Sequence, residues 1–314
     1  MLHFNKVKLQ KPSFIKYTDY TYDVDSVYVN DDNEEYCVND GSWTTQNSEI
    51  YVDKGKDTLL ITVGESWTYG EGSEKINHRL HRWDLVDRIE IPYGGKMARI
   101  LDCDYYTFAR PGNSNSGIYT GLFRMLNNIP RGRYKSIKVL IQMTDVGRDQ
   151  LNFLPKDHKL WQLQSWHLKL NLHISDWLKT YEEVFLDELE NKIKQHSDLP
   201  LDVVVFKNFN HFFSDKNYSF RICRDMCWLK HNAYYCGVDF PTTHVMTPGY
   251  FYEGLIKAEI LKDLDMDWVE NDIAKWDNVA KFMTTENEVN HSSHPTELSQ
   301  SLWSQYLLHY TGWV

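Results

Sequence analysis

The chain has 314 residues, 42% of them hydrophobic and 25% charged, a globular composition with room for one large domain or two modest ones. Its formal net charge is -10 with no long Lys/Arg run to offset it, so a polyphosphate would have to bind a local patch against the overall field, and nucleic acid is set aside as a partner. No window approaches the ~20 apolar residues of a membrane span, and the basic N-terminus lacks the ~7–15-residue apolar core of a signal peptide. The expectation is a protein that neither binds a membrane nor leaves by the general export route.

Residues 1–53 are rich in Tyr, Asp, Val and Ser, with short alternating segments such as "DSVYVND" between Asn/Asp turn clusters, and read as a β-rich extension to a main domain over 54–314. From Thr58 the texture changes. Apolar runs predict strands at 58–63, 105–108, 137–143 and 203–209, and helical spacing predicts helices near 95–101, 116–127 and 175–195. In the last of these Trp177, Tyr181, Val184, Phe185, Leu189 and Ile193 recur on one face. A closing helix is predicted after Pro295, with Leu298, Leu302, Trp303 and Tyr306 at helical spacing toward the sheet. Strand and helix in alternation predict a parallel sheet with helices on both faces, and such folds gather their active groups beyond the carboxyl ends of the strands.

The five cysteines, Cys37, Cys103, Cys223, Cys227 and Cys236, are an odd set, which argues against a disulfide framework and for a reducing compartment. Cys223, Cys227 and His231 would share one face of a helix, with Cys236 close behind, a conceivable thiolate/imidazole site. The spacing lacks the Cys-x2-Cys knuckle, and buried thiols on an amphipathic helix explain it as well, so no metal and no cofactor is expected.

The stretch "LLITVGESWTYGEG", Leu59 to Gly72, ends a strand and leaves Ser66 just beyond it. A Walker loop is excluded because Glu71, not lysine, follows Gly70; a dinucleotide fingerprint, because the glycines fall at 64, 70 and 72; a nucleophile elbow, because Thr68 stands where it needs glycine. Ser66 is then a turn residue or a nucleophile, and as a nucleophile it needs a base and oxyanion donors from elsewhere. In "ARPGNSNSG" Gly112 stands at a strand-to-helix corner, where a glycine N–H can face developing negative charge or simply make the turn. In "HSSHPTEL" His294 precedes Pro295 at the mouth of the last helix, a usable place for a general base and equally one for a surface histidine.

In this order the three stretches resemble the SGNH (GDSL-like) hydrolase superfamily. Gly64-Glu65-Ser66 is similar to its Gly-Asp-Ser block, Gly112 in "ARPGNSN" to its second block in the form seen in proteins of tailed bacteriophages, and "HSSHP" to its Asp-x-x-His-Pro block. The resemblance implies a three-layer α/β/α flavodoxin-like sheet. It implies a serine esterase or deacetylase that hydrolyses an O-acyl ester, O-acetyl above all, plausibly on a carbohydrate. Ser66 would be the nucleophile and His294 the base, with the Ser66 and Gly112 N–H groups and the Thr144 hydroxyl as oxyanion donors. Thr144 stands where the family has asparagine and His291 where it has the orienting aspartate, so Glu288, His291, Glu297 or a backbone carbonyl would orient His294, or the site would run as a Ser-His dyad. The alternative is an SGNH-fold module with little or no catalysis, used for glycan binding or for virion or complex assembly. A small-molecule or glycan ester is the implied partner, and the host cytoplasm or the virion the implied location. Trp67 and Trp83 could stack on sugar rings or pack in the core.

Overall fold

The computed structural model describes residues 4–6, 27–30, 49–71, 85–144, 174–208, 212–228, 231 and 295–314. Among the described residues eight strands form one sheet in the order β1-β2-β3-β5-β4-β6-β7-β8. β1 (Phe4–Lys6), β2 (Val27–Asn30) and β3 (Glu49–Val52) pair antiparallel in succession, and β3 pairs antiparallel with β5 (Asp104–Ala109). From β5 onward the sheet is parallel through β4 (Thr58–Gly64), β6 (Ser136–Met143), β7 (Leu201–Lys207) and β8 (Arg221–Ile222).

Within the parallel part the chain lays down its second strand, β5, on one side of β4, and its third, β6, on the other. That is the flavodoxin-like order, and it opens a crevice at the carboxyl end of β4, where the progression reverses. The in-register pairs Gly64↔Ala109 and Val63↔Ile141 bring the ends of β5, β4 and β6 side by side.

The near-continuous apolar runs of β4 and β6 follow from cover on both faces. Leu60, Leu140, Val204 and Phe206 pack toward α2 (Leu85–Glu90), α3 (Tyr93–Ile100) and α6 (Glu297–Thr311). Leu59, Ile61, Val63, Val139, Ile141 and Val205 pack toward α4 (Asn115–Asn128) and α5 (Ile174–Gln195). The result is a three-layer α/β/α fold of the flavodoxin-like kind, as predicted. The helix α1 (Ser66–Tyr69) and α2 were not predicted, since helices of four and six residues are too short to show a period.

One predicted detail changes, and one alternative is decided. Leu298 does not face the sheet: it is 56% exposed, and the buried side of α6 carries Ser299, Gln300, Trp303, Ser304, Leu307 and Leu308. Buried Ser299 accepts the Trp228 indole N–H at 3.0 Å and Gln300 is also hydrogen-bonded, so polar residues occupy positions that an apolar pattern assigns to solvent. Trp67 is fully buried, edge-on to Trp228 at 5.2 Å between ring centroids, and belongs to the core rather than to a sugar surface. Trp83 lies outside the described residues.

Candidate active site

β4 ends at Gly64, a position with no room for a side chain: a Cβ would run into the Thr68 side chain and the Gln142 amide. Glu65 then turns out of the strand in an extended conformation and caps α1, whose first residue is Ser66. Gly70, at φ +85°, closes this short helix by donating back to the Ser66 and Trp67 carbonyls, a conformation that favours glycine. Ser66 is thus held just past the central strand by a cap on one side and a left-handed glycine on the other.

The Glu65 carboxylate organises the polar interior of this edge. Its Oε1 accepts from the Gln142 amide at 2.9 Å, from the Asn208 amide at 3.0 Å and from the Trp67 backbone N–H at 3.3 Å. Its Oε2 accepts the Ser66 hydroxyl. The far oxygen of Gln142 accepts the Thr68 hydroxyl, which lies 3.3 Å from the Tyr93 hydroxyl. Tyr93 is raised far above its ordinary value by burial and stays neutral. Glu65, Ser66, Gln142 and Asn208 are all buried. Neither Gln142 nor Asn208 stands out as a site residue in the sequence; the available signal was a polar residue interrupting or ending an otherwise apolar strand in "VLIQM" and "VVVFKN".

Gly112 sits at φ +72° in the turn after β5, where only glycine is unstrained. Asn113 from the same turn donates its amide to the Gly64 carbonyl at 3.1 Å, which ties the Gly112 turn to the corner carrying Ser66. Asn115 clasps Thr144 after β6, accepting its N–H at 2.8 Å and donating to its carbonyl at 3.1 Å. The Thr144 hydroxyl is buried and finds no hydrogen-bond partner among the described residues. The structure therefore draws Ser66, the Gly112 turn and Thr144 to one edge of the sheet. His294, Glu288 and His291 lie outside the described residues.

The helix that follows His294 and Pro295 is capped by Thr296, whose hydroxyl accepts the Ser299 N–H. One turn on, Gln300 accepts the Tyr93 N–H at 2.8 Å and donates to the Trp67 carbonyl at 2.9 Å. It fastens α6 to both α3 and the Ser66 helix. Since Pro92 offers no side-chain cap to α3, Gln300→Leu should strand the Tyr93 N–H and lower the unfolding free energy by about 1–3 kcal/mol. Urea denaturation checks this; an unchanged midpoint would show that water or another group satisfies that N–H.

Cys223 and His231 do not share a helix face. Arg221–Ile222 pairs with β7, so Cys223 follows a strand, and only the His231-to-Cys227 backbone bond is a helical turn. Burial pushes the Cys223 thiol up to about 11. It pushes the His231 imidazole, packed against the Trp303 and Tyr306 rings, down to about 4. Cys236 lies outside the described residues, and among those described no group of three or more His, Cys, Asp or Glu is placed to hold a metal ion.

Because unfolded His231 takes up a proton near ~6.5 and folded His231 only near 4, its contribution to stability is complete above ~6.5 and is lost as the pH falls through about 4. His231→Phe should flatten the pH dependence of unfolding in that window, as followed by denaturation at several pH values. A variant with the same slope would remove His231 as its source.

A surface groove of about 510 Å³, lined by Tyr119, Phe123, Arg124, Asn127 and Lys192 among others, includes none of Ser66, Gly112 and Thr144. Among the described residues no helix is long and apolar enough to cross a membrane.

No protein-family model matches the chain, and no curated protein matches it. Solved structures similar to it include a member of the lipolytic protein G-D-S-L family from Veillonella parvula DSM 2008, at 9% identity over 80% of this chain and 97% of that one, with a TM-score of 0.35. Phospholipase A1 from Streptomyces albidoflavus NA297 is similar at 13% identity over 81% of this chain and 98% of that one, with a TM-score of 0.35. An acetylxylan esterase from Geobacillus stearothermophilus is similar at 12% identity over 83% of this chain and 97% of that one, with a TM-score of 0.35.

Proposed function

We propose that this chain is a serine ester hydrolase of the SGNH type that removes an O-acyl group, an O-acetyl group on a carbohydrate being the substrate of choice. The observation that carries the reading is the position of Ser66: two residues past the end of β4, at the reversal of strand order, with its hydroxyl donated to a buried carboxylate. Ser66 Oγ attacks the ester carbonyl, and the tetrahedral oxyanion faces the Ser66 and Gly112 N–H groups and the Thr144 hydroxyl. In support of the last, the Thr144 hydroxyl is buried and finds no partner among the described residues. By the family resemblance His294 takes the Ser66 proton, with Glu288 or His291 orienting it; water then releases the acyl group.

The test is twofold. The purified chain is assayed on short-chain p-nitrophenyl esters and for acetate release from acetylated sugars, and it is incubated with a fluorophosphonate whose adduct is mapped by mass spectrometry. Turnover together with an adduct on Ser66 supports the reading. Neither, from folded protein, points to the second reading, a binding or assembly module on this fold. The observation favouring that one is the burial of Ser66, which is only 1% exposed.

A further inference from the structure

The ladder of β6 runs out before Thr144 is reached. β6 keeps its partner on β4 as far as Val63↔Ile141 and its partner on β7 as far as Met143↔Lys207, so Thr144 lies past both. A side chain takes over there. Asn115, at the start of α4 and only 1% exposed, accepts the Thr144 N–H at 2.8 Å and donates to the Thr144 carbonyl at 3.1 Å. One carboxamide does for Thr144 what a neighbouring strand does for the residues before it.

Asn113, two residues earlier, reaches the end of β4 instead, donating to the Gly64 carbonyl at 3.1 Å. Its seat is built into α4: a Cβ at Gly117 would overlap Asn113 Oδ1, so the helix carries glycine where this amide packs. The turn after β5 thus holds β4 through Asn113 and, across β4, the residue after β6 through Asn115. What the two amides hold is telling. Thr144 has a buried hydroxyl with no hydrogen-bond partner among the described residues, Gly64 stands two residues before Ser66, and Gly112 is the neighbour of Asn113 in the turn.

We propose that Asn113 and Asn115 are positioning residues that set the oxyanion donors in one constellation, Asn115 through the backbone of Thr144 and Asn113 through the corner of Ser66 and the turn of Gly112. This rests on the ester-hydrolase reading and deepens it; neither asparagine gives or takes a proton. Donors stabilise a developing oxyanion because their places are fixed before the charge appears, and a displacement of about 1 Å can cost on the order of 10² in rate. An amide that only completed a turn would affect stability and leave the chemistry alone.

The deciding experiment measures kcat and KM for p-nitrophenyl acetate, and urea unfolding beside them, in the full chain for two double-mutant cycles: Asn115→Ala with Thr144→Val, and Asn113→Ala with Gly117→Ala. Thr144→Val removes the hydroxyl and should lower kcat by ~10²–10³ with KM little changed. Asn115→Ala should lower kcat by ~10² when Thr144 is present and by less than about 3-fold when valine has replaced it, with the same cost in stability in both backgrounds. Gly117→Ala pushes the Asn113 amide aside from the helix behind it. It should lower kcat about 10-fold while stability holds or rises, alanine being the better helix former, and should add nothing once Asn113 is alanine. A kcat loss from Asn115→Ala that is equal in both Thr144 backgrounds overturns the proposal for Asn115, and wild-type kcat in Gly117→Ala overturns it for Asn113. Should Asn115→Ala fail to fold, Asn115→Ser, which keeps a polar side chain at the helix start, is carried through the same cycle with the same two outcomes. Turnover that survives Ser66→Ala, or absent turnover with no fluorophosphonate adduct on folded protein, removes the ester-hydrolase reading itself and this proposal with it.

Discussion

Ser66→Ala is expected to cut ester turnover on the order of 10⁴-fold or more while leaving the fold in place. The substitution deletes one atom, and that atom is the proposed nucleophile. The oxyanion donors, the Glu65 carboxylate and the strand ends are untouched, so binding and residual electrostatic stabilisation persist. The structural cost is the Ser66-to-Glu65 hydrogen bond, worth about 1.5–3 kcal/mol because its acceptor is a carboxylate, while the Gln142, Asn208 and Trp67 N–H donors stay on Oε1. Rate and stability therefore separate: kcat should fall by orders of magnitude and the thermal midpoint by only a few degrees. A folded Ser66→Ala protein with a tenth or more of the wild-type rate would mean that the turnover belongs to another group.

The layers of this fold were legible because they rest on local patterns. The run from Thr58 to Gly64 is apolar at successive positions, as a strand covered on both faces requires, and α4 and α5 show their buried stripes at helical spacing. The position of Ser66 followed from the abrupt end of that strand. What surrounds it did not. Gln142 and Asn208 stand 77 and 143 residues from Glu65, and periodicity says which way a side chain points but not what it meets there. The meeting depends on the parallel register that sets Gln142 opposite Phe206, next to the end of β7.

The same limit explains the two misplaced patterns. Cys223, Cys227 and His231 fit a helical repeat, yet Arg221 and Ile222 are drawn into the ladder with β7, and tertiary pairing overrides the local period. In α6 the face was assigned by leucines, whereas Ser299 and Gln300 are buried with satisfied hydrogen bonds to Trp228, Tyr93 and Trp67. A buried polar side chain is invisible to a hydrophobic pattern until its partner is known.

Breaking the ion pair between Glu182 of α5 and Lys207 of β7 is expected to lower stability by about 3–5 kcal/mol. The two side chains are only 2% and 8% exposed. Glu182 Oε2 takes the lysine ammonium, and Oε1 accepts the backbone N–H groups of Phe213 and Ser214, each at 2.9 Å. The ammonium also lies 4.9 and 5.0 Å from the Phe212 and Phe213 ring centroids. Glu182→Ala strips a buried cation of its carboxylate and two backbone donors of their acceptor, so its cost should lie at the top of the range. Lys207→Met with Glu182→Gln removes both charges while the glutamine oxygen still meets Phe213 and Ser214, and should recover most of the loss. A double-mutant cycle by urea denaturation reads this as a coupling of ~2 kcal/mol or more; additive single changes would show that the two groups act independently. Because Asn208 follows Lys207 directly, Glu182→Ala should also disturb the Glu65 anchor and lower kcat in the molecules that remain folded, whereas the paired substitution, which keeps the end of β7 in place, should restore both stability and rate.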